Sequence, residues 1–221
     1  MESRVSKVVQ QFGRLIAWLF ISFCWIGCHS HNEQLPYYHS AKFTPLWEDE
    51  DQFKTDTLHR IAAFEFIDQQ NEFVTNRTFD GKIYVANFFF TICPSICPKM
   101  TANLEKVAQA FEGNSDVKFI SHSVTPDIDS VAQLKKYADD HGIRHDQWKL
   151  ITGVKEKIYT LARQSYFAEQ EIGFQNSTQE FLHTEHFILV DRQGHIRGIY
   201  KGTLELETER LIEDIKVLLK E

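Results

Sequence analysis

Two cysteines four residues apart constrain this chain more than any other feature of its sequence. Cys93 and Cys97 lie in the run TICPSICP, and the other cysteines of the chain all lie within its first 28 residues. The apolar run before the pair, residues 82–90, predicts a buried β-strand, and residues 98–111 predict an amphipathic helix. At such a strand-to-helix junction, unpaired backbone N–H groups and the helix dipole favour the thiolate. If the first turn is helical, both sulfurs share one face. Chelation and disulfide formation both remain open.

Composition limits the classes of protein that this chain can belong to. Its 221 residues suit one domain of ordinary size with an N-terminal extension. With 43% hydrophobic and 25% charged residues, general disorder is excluded. The formal net charge of −7 argues against nucleic acid as a partner, whereas a redox protein or a cation suits an acidic body.

The N-terminus has the pattern of a targeting segment. Basic residues precede an apolar run, residues 15–26, that is too short to span a bilayer and has the length of a signal-peptide core. The run ends in Trp-Ile-Gly-Cys, which resembles a bacterial lipobox with Gly27 before a lipidated Cys28. We therefore predict that residues 1–28 form a signal and lipobox segment, and that a membrane-anchored lipoprotein faces the periplasm or another extracytoplasmic side of the bacterial cell envelope. An uncleaved anchor or a plain signal peptide is the alternative.

The rest of the chain divides into a polar tether and one folded body. Residues 29–57 are polar and weakly periodic, which predicts a tether, and the acidic run 48–51 is typical of a solvated stretch rather than a metal site. Residues 58–221 predict a thioredoxin-like α/β fold with an N-terminal β-hairpin extension. We expect strands at residues 63–68, 72–75, 82–90, 117–124, 148–152, 186–191 and 195–200, and helices at residues 98–111, 128–140, 154–165 and 207–219.

Separate motifs then carry a family resemblance. Residues 91–98 are similar to the pattern T-x-C-P-x-x-C-P, and residues 123–130 are similar to S-x-D-P-x-x-D-T. His183 is followed by threonine and lies eleven residues before Gly194. Over roughly residues 64–219 the chain thereby resembles the Sco/SenC copper chaperones of cytochrome oxidase assembly.

The resemblance implies a ligand set and partners. It identifies Cys93, Cys97 and His183 as ligands of Cu(I) and Cu(II), and the copper-bearing subunit of cytochrome c oxidase, with its CuA centre, as the recipient. Other copper carriers are further partners that it implies. The residue types agree, because two thiolates and one imidazole form a soft, low-coordinate set, whereas structural zinc generally needs a fourth protein ligand. Three ligands also permit release of the metal.

The chain departs from the family pattern around these ligands. Thr125 replaces the usual first aspartate of the second motif, while Asp129 retains the other acid. Phe89 occupies a usual glycine, and Leu182 stands where many members have an acid. These positions concern hydrogen bonding around the ligands and redox tuning rather than the ligands themselves. Asp129 either tunes the site or caps the helix that follows it.

Two enzymatic hypotheses compete with the chaperone. In a thiol-disulfide oxidoreductase, Cys93 and Cys97 form a redox-active disulfide, with one thiol attacking and the other resolving. In a thiol peroxidase, one of them passes through sulfenic acid. The chain has no proline after Pro126, so it lacks the cis-proline that thioredoxin-like reductases usually carry. Among the other histidines, His186 is the main alternative ligand to His183. We expect the remaining ones named here to be structural or solvent-facing: His122, His141, His145 and His195.

Overall fold

The computed structural model describes residues 34–47, 58–169 and 184–221. Within them, seven strands and four α-helices follow the order that the sequence predicts. The strands are β1 (Glu65–Asp68), β2 (Phe73–Thr75), β3 (Ile83–Phe89), β4 (Val117–Ser123), β5 (Trp148–Thr152), β6 (His186–Val190) and β7 (Ile196–Lys201). The helices are α1 (Ile96–Ala110), α2 (Val131–Asp140), α3 (Lys155–Gln164) and α4 (Glu205–Leu218).

The strands of the described residues form one sheet in the order β2, β1, β5, β4, β3, β6, β7. Strands β3, β4 and β5 are parallel, so helices cross over between them. Strand β6 runs antiparallel to β3 and to β7, and the β1–β2 hairpin joins antiparallel to β5. A mixed sheet with helices and an N-terminal hairpin confirms the predicted fold class.

The register of the central strands determines where the cysteines lie. Phe89 at the end of β3 pairs with Ser123 at the end of β4. The chain therefore leaves both strands at the same edge of the sheet, which brings residues 90–95 beside residues 124–130. The carboxyl edge of parallel strands is the usual position of ligand sites in α/β proteins.

Buried strands hold this edge between two apolar layers. Every residue of β3 is buried, as its continuous apolar run predicts. Successive side chains alternate between the faces of the sheet. Phe88 packs in the layer that includes α3, and Phe89 packs in the layer that includes α1, α2 and α4. Phe88 and Phe89, which end the strand, thus serve as core, as the sequence predicts, and Phe90, which follows the strand, is only partly buried.

Helix α2 begins three residues later than its apolar pattern predicts, because Ser130 is its N-cap. The Ser130 hydroxyl accepts a hydrogen bond from the Gln133 N–H at 3.3 Å, which satisfies one of the free amides of the first turn. The alternative that Asp129 caps this helix is therefore wrong. The Asp129 carboxylate instead accepts hydrogen bonds from the Thr91 and Ser123 hydroxyls.

Part of the predicted tether packs on the body. Within residues 29–57, the described residues 34–47 form a backbone bridge between Tyr38 and Ile196 on β7. The Arg197 side chain, only 4% exposed, donates hydrogen bonds to two carbonyl oxygens of this segment and contacts carboxylates of the body. A buried guanidinium that is satisfied partly by the segment fixes that segment in place. The tether prediction does not hold for residues 34–47.

Some predicted features lie outside the described residues. These are the signal and lipobox segment, residues 1–28, together with Cys28, and the candidate ligand His183. Among the described residues, no helix combines the length and the apolar character needed to cross a membrane.

Candidate functional site

The two cysteines meet at the junction between β3 and α1. Strand β3 ends at Phe89 and helix α1 begins at Ile96, so Cys93 lies in the connecting turn and Cys97 lies in the first helical turn. The Cys93 N–H donates to the Phe90 carbonyl at 3.3 Å, which tightens this turn. Both thiols are free and buried, and each one shifts the pKa of the other. The turn, rather than a shared helix face, therefore brings the sulfurs together.

The helix N-terminus activates Cys93. Burial raises the pKa of this thiol, but hydrogen bonds from the backbone N–H groups of Cys97, Ser95 and Ile96 and from the Cys97 side chain outweigh it, so the pKa lies below its usual range. These amides are free because the first turn of a helix has no internal partners for its N–H groups. The sequence predicts this activation from the junction alone.

Cys97 has the opposite environment. Burial raises the pKa of the Cys97 thiol to about 12, and although a hydrogen bond from the Phe90 backbone opposes this, the Cys93 thiol and the Asp129 charge add to it. Cys93 is thus the thiol that ionises first. Binding of a metal by both sulfurs must displace the Cys97 proton, so metal affinity at this pair rises with pH.

A buried carboxylate holds the start of the cysteine turn. The Thr91 hydroxyl donates to Asp129 Oδ1 at 2.6 Å, and the Ser123 hydroxyl donates to Asp129 Oδ2 at 2.6 Å. Gln133, on α2, donates to Thr91 Oγ1 at 3.0 Å. The sequence marks Asp129 as a site residue or a cap, but it does not identify Thr91 and Gln133 as its network. The position of Gln133, one helical turn after Asp129, is the signal that was available.

Two aromatic side chains, Tyr137 and Phe89, pack in the same apolar layer as the thiols. The Tyr137 hydroxyl is hydrogen-bonded to Thr101 at 2.7 Å, and its ring lies 5.4 Å from the Phe89 ring. Burial raises the pKa of Tyr137 to about 12, with smaller contributions from the charges of Cys97, Glu105 and Cys93. Tyr137 is therefore a neutral group near the sulfurs.

The histidines of the described residues lie in other environments. His186 begins β6 with Nδ1 3.1 Å from the Thr184 hydroxyl and 3.3 Å from the Ala168 carbonyl, and burial lowers its pKa. His141 contacts Glu105, and His195 contacts the His59 carbonyl. His122 is fully buried among aromatic rings. The predicted third ligand, His183, lies outside the described residues.

A charged cluster that the sequence did not indicate lies on another part of the sheet. Asp68, Glu72 and His145 bring three potential ligand atoms within 4.8 Å of one another. However, the Lys149 ammonium lies 2.9 Å from Asp68 Oδ2 and 2.6 Å from His145 Nε2. A lysine cation thus already balances the buried Asp68 carboxylate. We interpret the cluster as an ion-pair network between β1 and β5.

The donor atoms at the cysteine turn fit copper. Thiolates are soft ligands that select Cu(I), and a set of two thiolates with one imidazole also accommodates Cu(II). Structural zinc generally requires four protein ligands, and the described part of the chain brings only the two thiols together at this turn. The pair is equally a dithiol that can form a disulfide, because both thiols are free and adjacent.

Comparison with known proteins agrees with this geometry. A solved SCO1/SenC family lipoprotein from Bacillus anthracis is 31% identical, covers 73% of this chain and 95% of its own, and superposes with a TM-score of 0.63. BsSco is 30% identical over 73% of this chain and 94% of its own, with a TM-score of 0.62. It is described as a member of the Sco family of cytochrome c oxidase assembly proteins in which a disulfide switch was identified.

More distant structures share the fold. Arabidopsis thaliana ScoI, solved with copper bound, is 24% identical, covers 70% of this chain and 97% of its own, and has a TM-score of 0.54. The family model described as SCO1/SenC matches residues 53–220, which include the cysteine turn, the Asp129 network and the β6–β7 hairpin. This chain therefore belongs to the SCO1/SenC family.

Proposed function

We propose that this protein is a metallochaperone that binds Cu(I) and Cu(II) through Cys93, Cys97 and His183 and delivers copper to the CuA centre of cytochrome c oxidase. One observation carries the proposal: two free, buried thiols lie at one strand-to-helix turn, with the pKa of Cys93 below its usual range. In the proposal, His183 completes the site from the loop before β6. A ligand that comes from a separate loop allows the partner to open the site and take the copper.

The relatives support this role. BsSco belongs to a family of oxidase assembly proteins, and members with the same fold have been solved with copper bound. Copper is the cargo here. The protein's own contribution is to favour the Cys93 thiolate through the helix N-terminus and to hold both sulfurs in an apolar layer against which Tyr137 packs.

The second candidate is a thiol-disulfide oxidoreductase, which the difference in pKa between the two thiols favours. In that reaction the Cys93 thiolate attacks a substrate disulfide and forms a mixed disulfide, and the first substrate thiolate leaves. Cys97 then loses its proton, attacks Cys93 and releases the second thiolate. The substrate gains two electrons and two protons, and the protein becomes the Cys93–Cys97 disulfide. The disulfide switch described for BsSco is consistent with this chemistry.

We predict that the reduced fragment that begins after Cys28 binds one copper ion per chain. Because Cu(II) bound by thiolate absorbs intensely through charge transfer, titration should produce a new visible band that saturates at one equivalent. Cys93→Ser and Cys97→Ser should each remove the band, since each removes a sulfur ligand. Absence of a band in the wild-type fragment, with the same spectrum in Cys93→Ser, would contradict the proposal.

The same titration tests the third ligand. His183→Ala should weaken Cu(II) binding by more than the roughly 10- to 100-fold that outer groups contribute. It should weaken Cu(I) less, since two thiolates suffice for Cu(I). His186→Ala is the matched control, because His186 contacts Thr184 and Ala168 instead. A loss confined to His186→Ala would show that His186, and not His183, is the third ligand.

We also propose that Cys28 is lipidated and that the body lies outside the cytoplasm, anchored to a membrane of the bacterial cell envelope. A solved relative is itself described as a lipoprotein. The mature protein should then begin at Cys28 with a mass increased by the lipid, and Cys28→Ser should prevent processing or release the protein from membranes. Mass spectrometry of the mature N-terminus measures this. An intact Met1 on the membrane-bound protein is the contrary result.

A further inference from the structure

We propose that Asp129 is a positioning residue that ties the cysteine turn to the β4–α2 connection, and that its charge favours a doubly charged copper ion over a singly charged one. The inference rests on the proposed function and names what regulates that site.

The Asp129 carboxylate is held by hydrogen bonds on both of its oxygens. Asp129 is fully buried and accepts hydrogen bonds on both oxygens. Oδ1 accepts from the Thr91 hydroxyl at 2.6 Å, and Oδ2 accepts from the Ser123 hydroxyl at 2.6 Å and the Thr125 hydroxyl at 3.1 Å. The Thr91 backbone N–H adds longer contacts at 3.4 and 3.3 Å.

The hydrogen-bond donors around Asp129 are arranged for an ionised carboxylate. Gln133 Nε2 donates to Thr91 Oγ1 at 3.0 Å, which leaves the Thr91 hydroxyl proton free to point at Asp129. With both oxygens acting as acceptors, the arrangement is that of an ionised carboxylate. Neutral hydroxyl and amide donors stabilise the charge but do not cancel it.

Within the described part of the chain, the Asp129 charge has no cation of its own. Among the described residues, no lysine, arginine or histidine lies within ion-pair distance of Asp129. This differs from Asp68, which Lys149 balances, and from Asp191, which Arg197 balances. A buried charge without a counter-ion is costly, so a cation bound nearby would offset part of that cost.

The charge of Asp129 lies beside the cysteine turn. Thr91 lies two residues before Cys93, and its hydroxyl donates to Asp129 Oδ1 at 2.6 Å, so the carboxylate lies directly against the start of the cysteine turn. A Cu(I) dithiolate carries a net charge of −1 and a Cu(II) dithiolate is neutral. A nearby negative charge therefore stabilises the Cu(II) form relative to the Cu(I) form.

The test compares the ratio of the Cu(II) and Cu(I) dissociation constants among variants. Asp129→Asn keeps the shape and removes the charge, so we expect Cu(II) to weaken relative to Cu(I) by about tenfold. That corresponds to a rise of about 59 mV in the potential of the bound copper. Asp127→Asn is the matched control, because Asp127 is exposed and two residues away, and it should change the ratio less than twofold.

Two further variants separate the charge from the anchor. Thr125→Lys places a cation beside Oδ2 at a half-buried position and should shift the ratio in the same direction while Asp129 remains. Thr91→Val removes the hydrogen bond from the Thr91 hydroxyl but keeps the Asp129 charge, so the ratio of the Cu(II) and Cu(I) dissociation constants should stay as in wild type. Amide hydrogen exchange over residues 91–95 of the copper-free protein should then accelerate in Thr91→Val and in Asp129→Asn.

Each contrary result has a distinct meaning. A ratio within twofold of wild type in both Asp129→Asn and Thr125→Lys overturns the charge effect, and an equal shift in Asp127→Asn does the same. Unchanged amide exchange in Thr91→Val and Asp129→Asn overturns the anchor. Failure of the wild type to bind copper at all instead overturns the proposed function and the charge effect together, and the exchange measurement on copper-free protein still decides the anchor.

Discussion

Cells whose copy of this protein carries both Cys93→Ser and Cys97→Ser are expected to lose copper-dependent cytochrome oxidase activity as completely as cells without the protein. The two free thiols are the sulfur donors of the proposed site, and they are equally the redox pair of the alternative. The double variant removes both chemistries. Oxidase activity in membranes from copper-limited cells measures the loss, and added copper should restore part of it, because an oxidase can still load the metal slowly from a raised supply.

His183→Ala is the variant that separates the two candidate functions. It removes the proposed imidazole ligand and leaves the dithiol intact, so a copper chaperone should fail while a reductase should work. Under the chaperone hypothesis, cells with His183→Ala should resemble the double cysteine variant and respond to copper. Under the reductase hypothesis, a thiol reductant rather than copper should relieve loss of the protein. If copper-limited cells that carry His183→Ala assemble the oxidase normally, the chaperone function is excluded and the oxidoreductase function takes its place.

His122→Phe is expected to stabilise the protein and to flatten its loss of stability in acid. His122 on β4 is fully buried, and neither of its ring nitrogens has a hydrogen-bond partner among the described residues. Its ring stacks on Phe88 at 4.9 Å and lies edge-on to Phe66 at 6.0 Å. An unsatisfied buried polar group costs about 1–3 kcal/mol, so an apolar ring should recover part of that at neutral pH.

The sign of the acid effect follows from the pKa of His122. Burial lowers this pKa from the ordinary 6.5 to about 3. Below pH 6.5 the unfolded chain therefore binds a proton that the folded chain does not bind until about pH 3. The contribution of neutral His122 to stability is complete above pH 6.5 and falls by about 1.4 kcal/mol per pH unit toward pH 3. The nearest titratable neighbour, Tyr166, stays neutral because burial raises its pKa well above 10.

Urea unfolding between pH 4 and 7.5 measures this effect. Wild type should lose stability more steeply with acid than His122→Phe does. His39→Gln is the control, since His39 is exposed and its replacement should leave the acid slope as it is. His122→Leu guards against overpacking by the larger phenylalanine ring. Equal acid slopes in wild type, His122→Phe and His122→Leu would show that His122 is not the group responsible.

Local pattern was sufficient for the element order and for the cysteine turn. Strands β3 and β5 and helix α1 were predictable because apolar periodicity reports burial over neighbouring residues, and such neighbours are close in space in any fold. The strand-to-helix position of Cys93 likewise followed from flanking residues. Helix α2 begins three residues after the apolar position at Ile128 that the pattern indicates, because Ser130 is its cap.

Only the tertiary structure decided the features that join distant parts of the chain. The role of Asp129 depends on Thr91, 38 residues away, and so on the parallel pairing of β3 with β4. The docking of residues 34–47 depends on Arg197, more than 150 residues further on.

The same holds for the isolation of His122 among aromatic rings and for the neutralisation of Asp68 by Lys149. The sequence by itself determined the fold class, the order of the elements and the cysteine pair, since these depend on short-range spacing. Hydrogen bonding and charge balance were decided by the tertiary structure, because they depend on which side chains the sheet brings within about 3 Å of each other.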